Sequence, residues 1–217
     1  TATSTDAAGN TSSASSAFDV TVDTTAPGAP TVVTQTTSDL TPTITGTATV
    51  GAGETLTVVV SGATYTVTPA GGGAWSLDLD TATPTSGSLT ALADGNTYNV
   101  TATVTDTAGN ATSDSTSSEL VIDTTAPGAP SVVSISTDTG VTDGVTSDNT
   151  LTFTGTAEAN STVEVFIDGS SIGTVTADGS GDWTYDHTGT ILADATYAVT
   201  ATSTDAAGNT SSASSAF

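Results

Sequence analysis

The sequence predicts an all-β protein made of tandem β-sandwich domains in a linear array. Two repeats and one pattern predict it. Thr1–Phe18 recurs unchanged as Thr200–Phe217, and the octapeptide DTTAPGAP begins at both Asp23 and Asp123. A repeat of about 100 residues has the size of a domain, not of a solenoid unit. Apolar and polar residues alternate along the chain, and helical periodicity is absent, which indicates strands with one buried face.

The same order of alternating segments appears in both repeats. In the first repeat, Leu56, Val58 and Val60 form an inward row that ends at a Ser61-Gly62 turn. The other inward rows of the first repeat are Tyr65 and Val67; Trp75, Leu77 and Leu79; Tyr98, Val100, Ala102 and Val104; and Leu120 and Ile122. Those of the second are Leu151 and Phe153; Val163, Val165 and Ile167; Ile172 and Val175; Trp183 and Tyr185; and Tyr197, Val199 and Ala201. Short strands at this spacing are typical of an immunoglobulin-like sandwich.

Aromatic residues at matching places support this fold. Tyr98 and Tyr197 each begin the penultimate strand, which is the tyrosine-corner position of such sandwiches. Trp75 and Trp183 are the largest apolar side chains available to fill the two cores. We therefore expect all four side chains to be buried.

The repeats set the expected domain boundaries. Residues 1–22 are the C-terminal strands of a preceding unit, residues 23–122 are a complete unit, and residues 123–217 are a second unit with an incomplete last strand. The chain is thus expected to be a segment of a longer array. Each linker holds two prolines within four residues, which fix φ and remove backbone donors, so we expect a short, stiff connection.

Charge restricts the function classes. The chain has 23 acidic residues, no Lys and no Arg, so its net charge is −23. Nucleic acid and anionic membranes are excluded as partners because binding them requires cationic side chains. No apolar run approaches the roughly 20 residues that span a bilayer, so no direct membrane insertion is expected. The carboxylates repel one another without side-chain counter-charges, and a divalent cation with oxygen ligands would relieve that repulsion.

Several motifs together resemble a known family. They are DTTAPGAP, TPTITGTA (residues 41–48), LTFTGTAEANSTVEVFIDG (151–169), TADGSGDWTY (176–185) and TDAAGNTS (204–211). Over essentially its whole length the chain resembles the bacterial Ig-like extender repeats of giant RTX adhesins secreted by type I systems. The resemblance implies a structural stalk on the bacterial cell surface that projects a distal ligand-binding region for attachment or biofilm formation. It also implies that calcium rigidifies the junctions between neighbouring repeats.

The topology gives an independent argument for calcium. In a seven-strand sandwich the preceding linker, the B–C loop and the F–G loop meet at the N-terminal pole. The acidic residues that these segments carry are Asp23, Glu54 and Asp106 in the first full unit, and Asp123, Glu158 and Asp205 in the second. Three carboxylates supply six oxygens, and carbonyls or waters complete the 6–8 ligands of Ca²⁺; magnesium fits less well.

The opposite pole of each unit faces the next linker. There the first unit carries Asp39 in the A–B loop and Asp94 at the E–F corner. The counterparts in the second unit are Asp148, with Asp143 nearby, and Asp194. A calcium ion at the junction would therefore link Asp39 or Asp94 of one unit to Asp123 and Glu158 of the next. The alternative is that these residues form Asx turns, which is the interpretation favoured for Asp168, Asp178 and Asp182.

No pattern indicates an enzyme. His187 is the only histidine, and the sequence provides neither a nucleophile with an orienting group nor a phosphate-binding loop. Three other functions remain open: a carbohydrate- or protein-binding module, an ice-binding surface suggested by repeated Thr-x-Thr, and a subunit of an extracellular filament or sheath that self-associates laterally through strand edges.

Overall fold

A computed structural model describes residues 1–139 and 143–217, and the protein it shows is all-β. The strands of the first unit are β1 (Thr31–Val32), β2 (Gln35–Thr37), β3 (Thr43–Thr47), β4 (Thr55–Val60), β5 (Ala63–Val67), β6 (Ala74–Asp78), β7 (Ser86–Gly87), β8 (Asn96–Tyr98), β9 (Val100–Thr105), β10 (Ala111–Ser113) and β11 (Leu120–Ile122). Those of the second are β12 (Ser131–Ile135), β13 (Thr152–Thr156), β14 (Thr162–Ile167), β15 (Ser170–Thr176), β16 (Asp182–Asp186) and β17 (Val199–Thr204).

The first unit consists of three small sheets around one core. One sheet has the order β1-β3-β6, the second has the order β10-β9-β4-β5-β7, and the third has the order β2-β11-β8. The penultimate strand is split at Asn99 into β8 and β9, and the last strand is split into β10 and β11. The split lets each of these strands contribute to two sheets, and β11 runs parallel to β2 but antiparallel to β8.

The second unit repeats the first two sheets. Strands β12-β13-β16 correspond to β1-β3-β6, and strands β15-β14-β17 form the facing sheet. The central hairpins are equivalent because Ser61-Gly62 and Asp168-Gly169 both have positive φ at their two turn positions. Such turns match the twist of the strands that they join. The alternating tandem sandwich predicted from the sequence is thus confirmed, whereas the exact domain limits stay a prediction.

Each core is built around a tryptophan that lies on a glycine. Trp75 and Trp183 are 3% and 2% exposed. Their strand partners are Gly46 and Gly155, where an added Cβ would lie within 2.6 Å of the indole ring. The predicted burial of both tryptophans is confirmed. Only glycine lets the ring pack this closely against the neighbouring strand.

The predicted burial of the two corner tyrosines is wrong. Tyr98 and Tyr197 are only partly buried, because each phenol reaches out to the backbone of the E–F corner. The Tyr98 hydroxyl accepts from the Ala93 N–H at 2.9 Å, and the Tyr197 hydroxyl donates to the Ala193 carbonyl at 3.1 Å. The tyrosine corner is present, but its ring lies at the rim of the core. The tyrosine buried in the first core is Tyr65, at 2% exposure.

Residues 1–29 precede the first sandwich and are almost entirely exposed. A bridge between Thr5 and Thr11 closes a small turn around Asp6, and Phe18, Val20 and Val22 are solvent-exposed apolar residues. Across the described residues, no helix is long and apolar enough to span a membrane.

Replacing Gly46 by alanine tests the tryptophan–glycine packing. A Cβ there would meet the Thr31 carbonyl oxygen at 2.0 Å as well as the Trp75 ring. Overpacking of this kind costs about 3 kcal/mol, so Gly46→Ala should lower the free energy of unfolding of the first unit by about that amount. Urea unfolding followed by tryptophan fluorescence measures it. Gly28→Ala in the linker, with no atom within 4 Å, is the matched control; equal stability of the two variants would refute this packing.

Candidate functional site at the domain junction

The linker between the two units begins with a turn held by its own carboxylate. The Asp123 Oδ1 atom accepts from the Thr125 N–H at 3.0 Å. Asp23 forms the same bond with Thr25, also at 3.0 Å, in the linker before the first unit. The repeated DTT sequence thus gives both linkers the same starting geometry.

Asp94 of the first unit binds this linker directly. Its Oδ1 accepts from the Thr124 N–H at 2.6 Å, and its Oδ2 accepts from the Thr125 hydroxyl at 2.9 Å. The Thr124 N–H and then the Thr125 hydroxyl lower the pKa of Asp94, because both donate to the ionised form. The E–F corner is therefore fastened to the linker by hydrogen bonds to a carboxylate, which are stronger than neutral ones.

The F–G loop of the second unit binds the same linker from the other side. Asp205 Oδ1 accepts from the N–H groups of Ala207 and Asn209, at 2.9 and 2.8 Å. Its Oδ2 accepts from the Asn209 side-chain amide at 2.8 Å, and that amide also donates to the Asp123 carbonyl at 2.8 Å. The loop is closed by its own acid, and its asparagine carries the contact to the linker.

The first unit has the same arrangement at its own N-terminal pole. Asp106 accepts from Ala108 N–H and from both amide groups of Asn110, and the Asn110 side chain donates to the Asp23 carbonyl at 3.1 Å. Mainly through the Asn110 side-chain amide, these donors lower the pKa of Asp106. Asp6 and Asn10 form a third copy of this loop.

One backbone hydrogen bond joins the two units outside the linker. The Ser38 N–H, in the loop after β2, donates to the Ala207 carbonyl in the F–G loop of the second unit at 3.2 Å. The adjacent Asp39 is exposed, and its Oδ1 accepts from the Thr41 N–H at 2.9 Å. The A–B loop, the E–F corner, the linker and the next F–G loop therefore meet at one junction.

The remaining predicted acidic residues lie at the same poles but turn towards their own loops. Glu54 Oε2 accepts from the Gly51 N–H at 2.7 Å, and the neighbouring Gly53 lies against Thr107 of the F–G loop. Glu158 is exposed, and its carbonyl accepts from the Ser161 N–H at 3.1 Å. Within residues 1–139 and 143–217, no three acidic or histidine side chains converge at the spacing that holds a metal ion.

The other predicted positions behave as follows. Asp148 binds Thr150 N–H at 2.9 Å, and Asp178 binds the N–H groups of Ser180 and Asp182, which is the predicted turn role. Asp194 is exposed at the far end of the second unit. His187 is partly buried, with its ring centroid 6.1 Å from that of Phe153, so it packs on the core edge.

Sequence reasoning missed the residues that connect loops to linkers. Asn110 and Asn209 donate to the linker carbonyls, and Thr124 and Thr125 donate to Asp94. A signal for the asparagines was available, since Asp-x-Ala-Gly-Asn occurs three times, at residues 6–10, 106–110 and 205–209. The acid and the asparagine four residues later form one unit.

Comparison with known proteins agrees with this architecture. A family model described as bacterial Ig-like domain matches residues 31–124 and again residues 126–217. The chain belongs to the bacterial Ig-like domain family. Both of its Ig-like repeats fall within the matched residues, so the resemblance seen in the motifs is confirmed at the level of the family. No curated protein matches the chain.

Solved structures with related folds come from large bacterial surface proteins. The Ig-like chain is 27% identical to a structure from a 1.5-MDa bacterial ice-binding adhesin, covering 99% of this chain and 71% of that one, with a TM-score of 0.36. It is 21% identical to the BSP domain of a biofilm-associated protein (88% and 29%, TM-score 0.32). It is 24% identical to a tetra-tandem repeat from the extending region of a large adhesion protein (98% and 54%, TM-score 0.31).

The lowered pKa of Asp106 predicts acid sensitivity of the loops. Because its pKa in the folded chain lies below the ordinary value of 3.8, its stabilising effect is complete above that pH and is lost as the pH falls below it, through the folded-state pKa. Asp106→Asn should therefore lower the melting temperature at pH 7 and make the loss between pH 4 and about pH 2 smaller than in the parent chain. Calorimetry over this range measures both effects. Asp80→Asn, on an exposed side chain, is the control, and an identical pH profile for D106N and the parent would contradict the prediction.

The contact between Asp94 and the linker predicts control of the angle between units. Asp94→Ala removes the acceptor of the Thr124 N–H and the Thr125 hydroxyl, so the units should sample bent arrangements. Small-angle scattering should show a smaller maximum dimension for this variant, with both sandwiches still folded. Asp194→Ala changes the equivalent residue at the other end of the second unit and should leave the dimension unchanged; equal shortening in both variants would refute the assignment.

Proposed function

We propose that the chain is an extender segment of a bacterial cell-surface adhesin, located outside the cell, which projects a distal ligand-binding region for attachment or biofilm formation. One observation carries the proposal. The linker is bound on one side by Asp94 of the preceding unit and on the other by Asn209 of the following unit. Such a junction fixes a direction from unit to unit, as a stalk requires.

The charge of the chain supports this role. The backbone amides that occupy the carboxylates leave the net charge of −23 in place. A surface of one sign keeps neighbouring stalks apart and suppresses lateral collapse. The sequence and described loops provide no catalytic constellation, and we propose a structural role without enzymatic activity.

We also propose that calcium stiffens the junctions in the manner of RTX adhesin extenders. Support comes from the acidic residues gathered around each linker in a chain without cationic side chains. At the junction between the units these are Asp39, Asp94, Asp123, Glu158 and Asp205; before the first unit they are Asp23, Glu54 and Asp106. In the present arrangement the carboxylates accept from local N–H groups and do not form a ready-made cage. Calcium binding therefore requires side-chain rotation, which the exposed Asp39 and Glu158 can make.

The calcium proposal predicts a metal-dependent melting temperature. An ion that binds only the folded state stabilises it by about 2.7 kcal/mol when its concentration is 100 times Kd. We expect millimolar calcium to raise the melting temperature by several degrees over that in excess chelator, and magnesium to raise it less. The combined variant Asp123→Ala and Glu158→Ala should lose most of the increase. An unchanged melting temperature on adding calcium would exclude calcium while leaving the hydrogen-bonded stalk intact.

Length is the test of the extender role itself. Strands of 5–8 residues rise ~3.3 Å per residue, so one sandwich with its linker should add roughly 40 Å. Scattering from the two-unit chain should give an elongated particle about twice that long. A compact, folded-back pair would instead favour a binding or assembly role.

A further inference from the structure

A cavity of about 530 Å³ opens at the far end of the second unit. Its apolar lining comprises Ile135, Leu151, Phe153, Leu192, Val199 and Phe217. Phe153 is fully buried on the core side, so the cavity reaches the hydrophobic core of this sandwich. The first unit contains the same core without this opening.

Strand β11 fills the equivalent place in the first unit. Its Leu120 and Ile122 are 1% and 0% exposed. Leu120 pairs in parallel with Gln35 of β2 and antiparallel with Tyr98 of β8. In the second unit, the counterparts of these two partners by the repeat alignment are Ile135 and Tyr197, and both line the cavity. The cavity therefore has the position and the walls of a seat for one strand.

The sequence identifies a strand that fits this seat. Thr1–Phe18 is identical to Thr200–Phe217, and the first copy continues with Asp19-Val20-Thr21-Val22. These four residues align with Glu119-Leu120-Val121-Ile122, so both segments are acidic at the first position and apolar at the second and fourth. In the present structure, Val20 and Val22 are 73% and 82% exposed.

We propose that the cavity is a strand-acceptor site and that segment Asp19–Val22 of a second copy of this chain occupies it. The donor strand lies parallel to residues 135–137 and antiparallel to residues 195–197, and it buries Val20 and Val22. Glu119 Oε2 accepts from the Val100 N–H at 2.9 Å in the first unit, and the Asp19 carboxylate faces the equivalent Val199 N–H. Addition of a strand to an open sheet supplies main-chain hydrogen bonds and side-chain pockets together.

The donor's linker then reproduces the covalent junction. Thr24 and Thr25 of the donor arrive beside Asp194 as Thr124 and Thr125 lie beside Asp94. Donor and acceptor surfaces are different, so the contact is heterologous and joins copies head to tail without closing. This inference does not rest on the extender role or on calcium, and its tests are done in chelator.

Disulfide trapping tests the register. The chain contains no cysteine, and the pair Val121↔Thr97 in the first unit corresponds to Thr21↔Thr196 between copies. A mixture of the Thr21→Cys and Thr196→Cys proteins should form a covalent heterodimer under mild oxidation. Thr188→Cys, on an exposed residue outside the seat, is the control partner. Equal heterodimer yield from the two mixtures overturns the proposal. So does a disulfide-bonded monomer from the double variant T21C/T196C, which would show that the segment folds back on its own chain.

Sedimentation of the full chain tests the apolar contact. The parent chain should associate as its concentration rises, and Val20→Asp with Val22→Asp should weaken association roughly tenfold or more, since two buried side chains become charged. Both residues lie outside the sandwiches, so the variant should unfold at the parent temperature. A Thr21→Ser control should associate as the parent does. A parent chain that is monomeric at every concentration, or unchanged association of the valine variant, contradicts the proposal.

Discussion

The structure depends on backbone N–H groups acting as the counter-charges of its carboxylates. With 23 acidic residues and no Lys or Arg, no carboxylate can pair with a basic side chain other than that of His187. Most of them instead accept from main-chain amides one to four residues away, as Asp106, Asp178 and Asp205 do. Such bonds are local and can be repeated in every unit without matching a partner elsewhere. They hold the turns that connect the strands, and the turns in turn hold the poles of each sandwich.

The junction uses the same interaction over a longer distance. Asp94 accepts from a linker amide thirty positions further along the chain, and Asn209 passes the order of an acid-closed loop to the Asp123 carbonyl. Since each contact joins the linker to a different sandwich, the linker is held from both sides. A proline-containing linker limits its own torsions, but these bonds determine how its ends meet the units. The direction of the array is thus encoded in residues outside the DTTAPGAP repeat.

Alternation and repeat length were sufficient to predict the sandwich, its strand order and the burial of both tryptophans, because strand sides follow from a period of two. The partly exposed Tyr98 and Tyr197 were not predicted, since the phenol's hydrogen bond to the corner backbone outweighs full burial of its ring. The approach of Gly46 to Trp75 depends on strand register, which no local pattern gives. At the junction, the acidic positions were identifiable, but their orientation was not. A carboxylate that can accept a nearby N–H does so, and the sequence does not show which amide is nearest.

The parallel pairing of β2 with β11 has a mechanical consequence. One strand lies near the N-terminal end of the first sandwich and the other at its C-terminal end, with Leu120 opposite Gln35 and Ile122 opposite Thr37. Tension applied through the two linkers pulls these strands along their axes in opposite directions. The hydrogen bonds between them are then loaded in shear and must fail together, whereas a pair pulled apart from one end would open one bond at a time. A unit wired in this way resists stretching along the axis on which a tethered cell would pull.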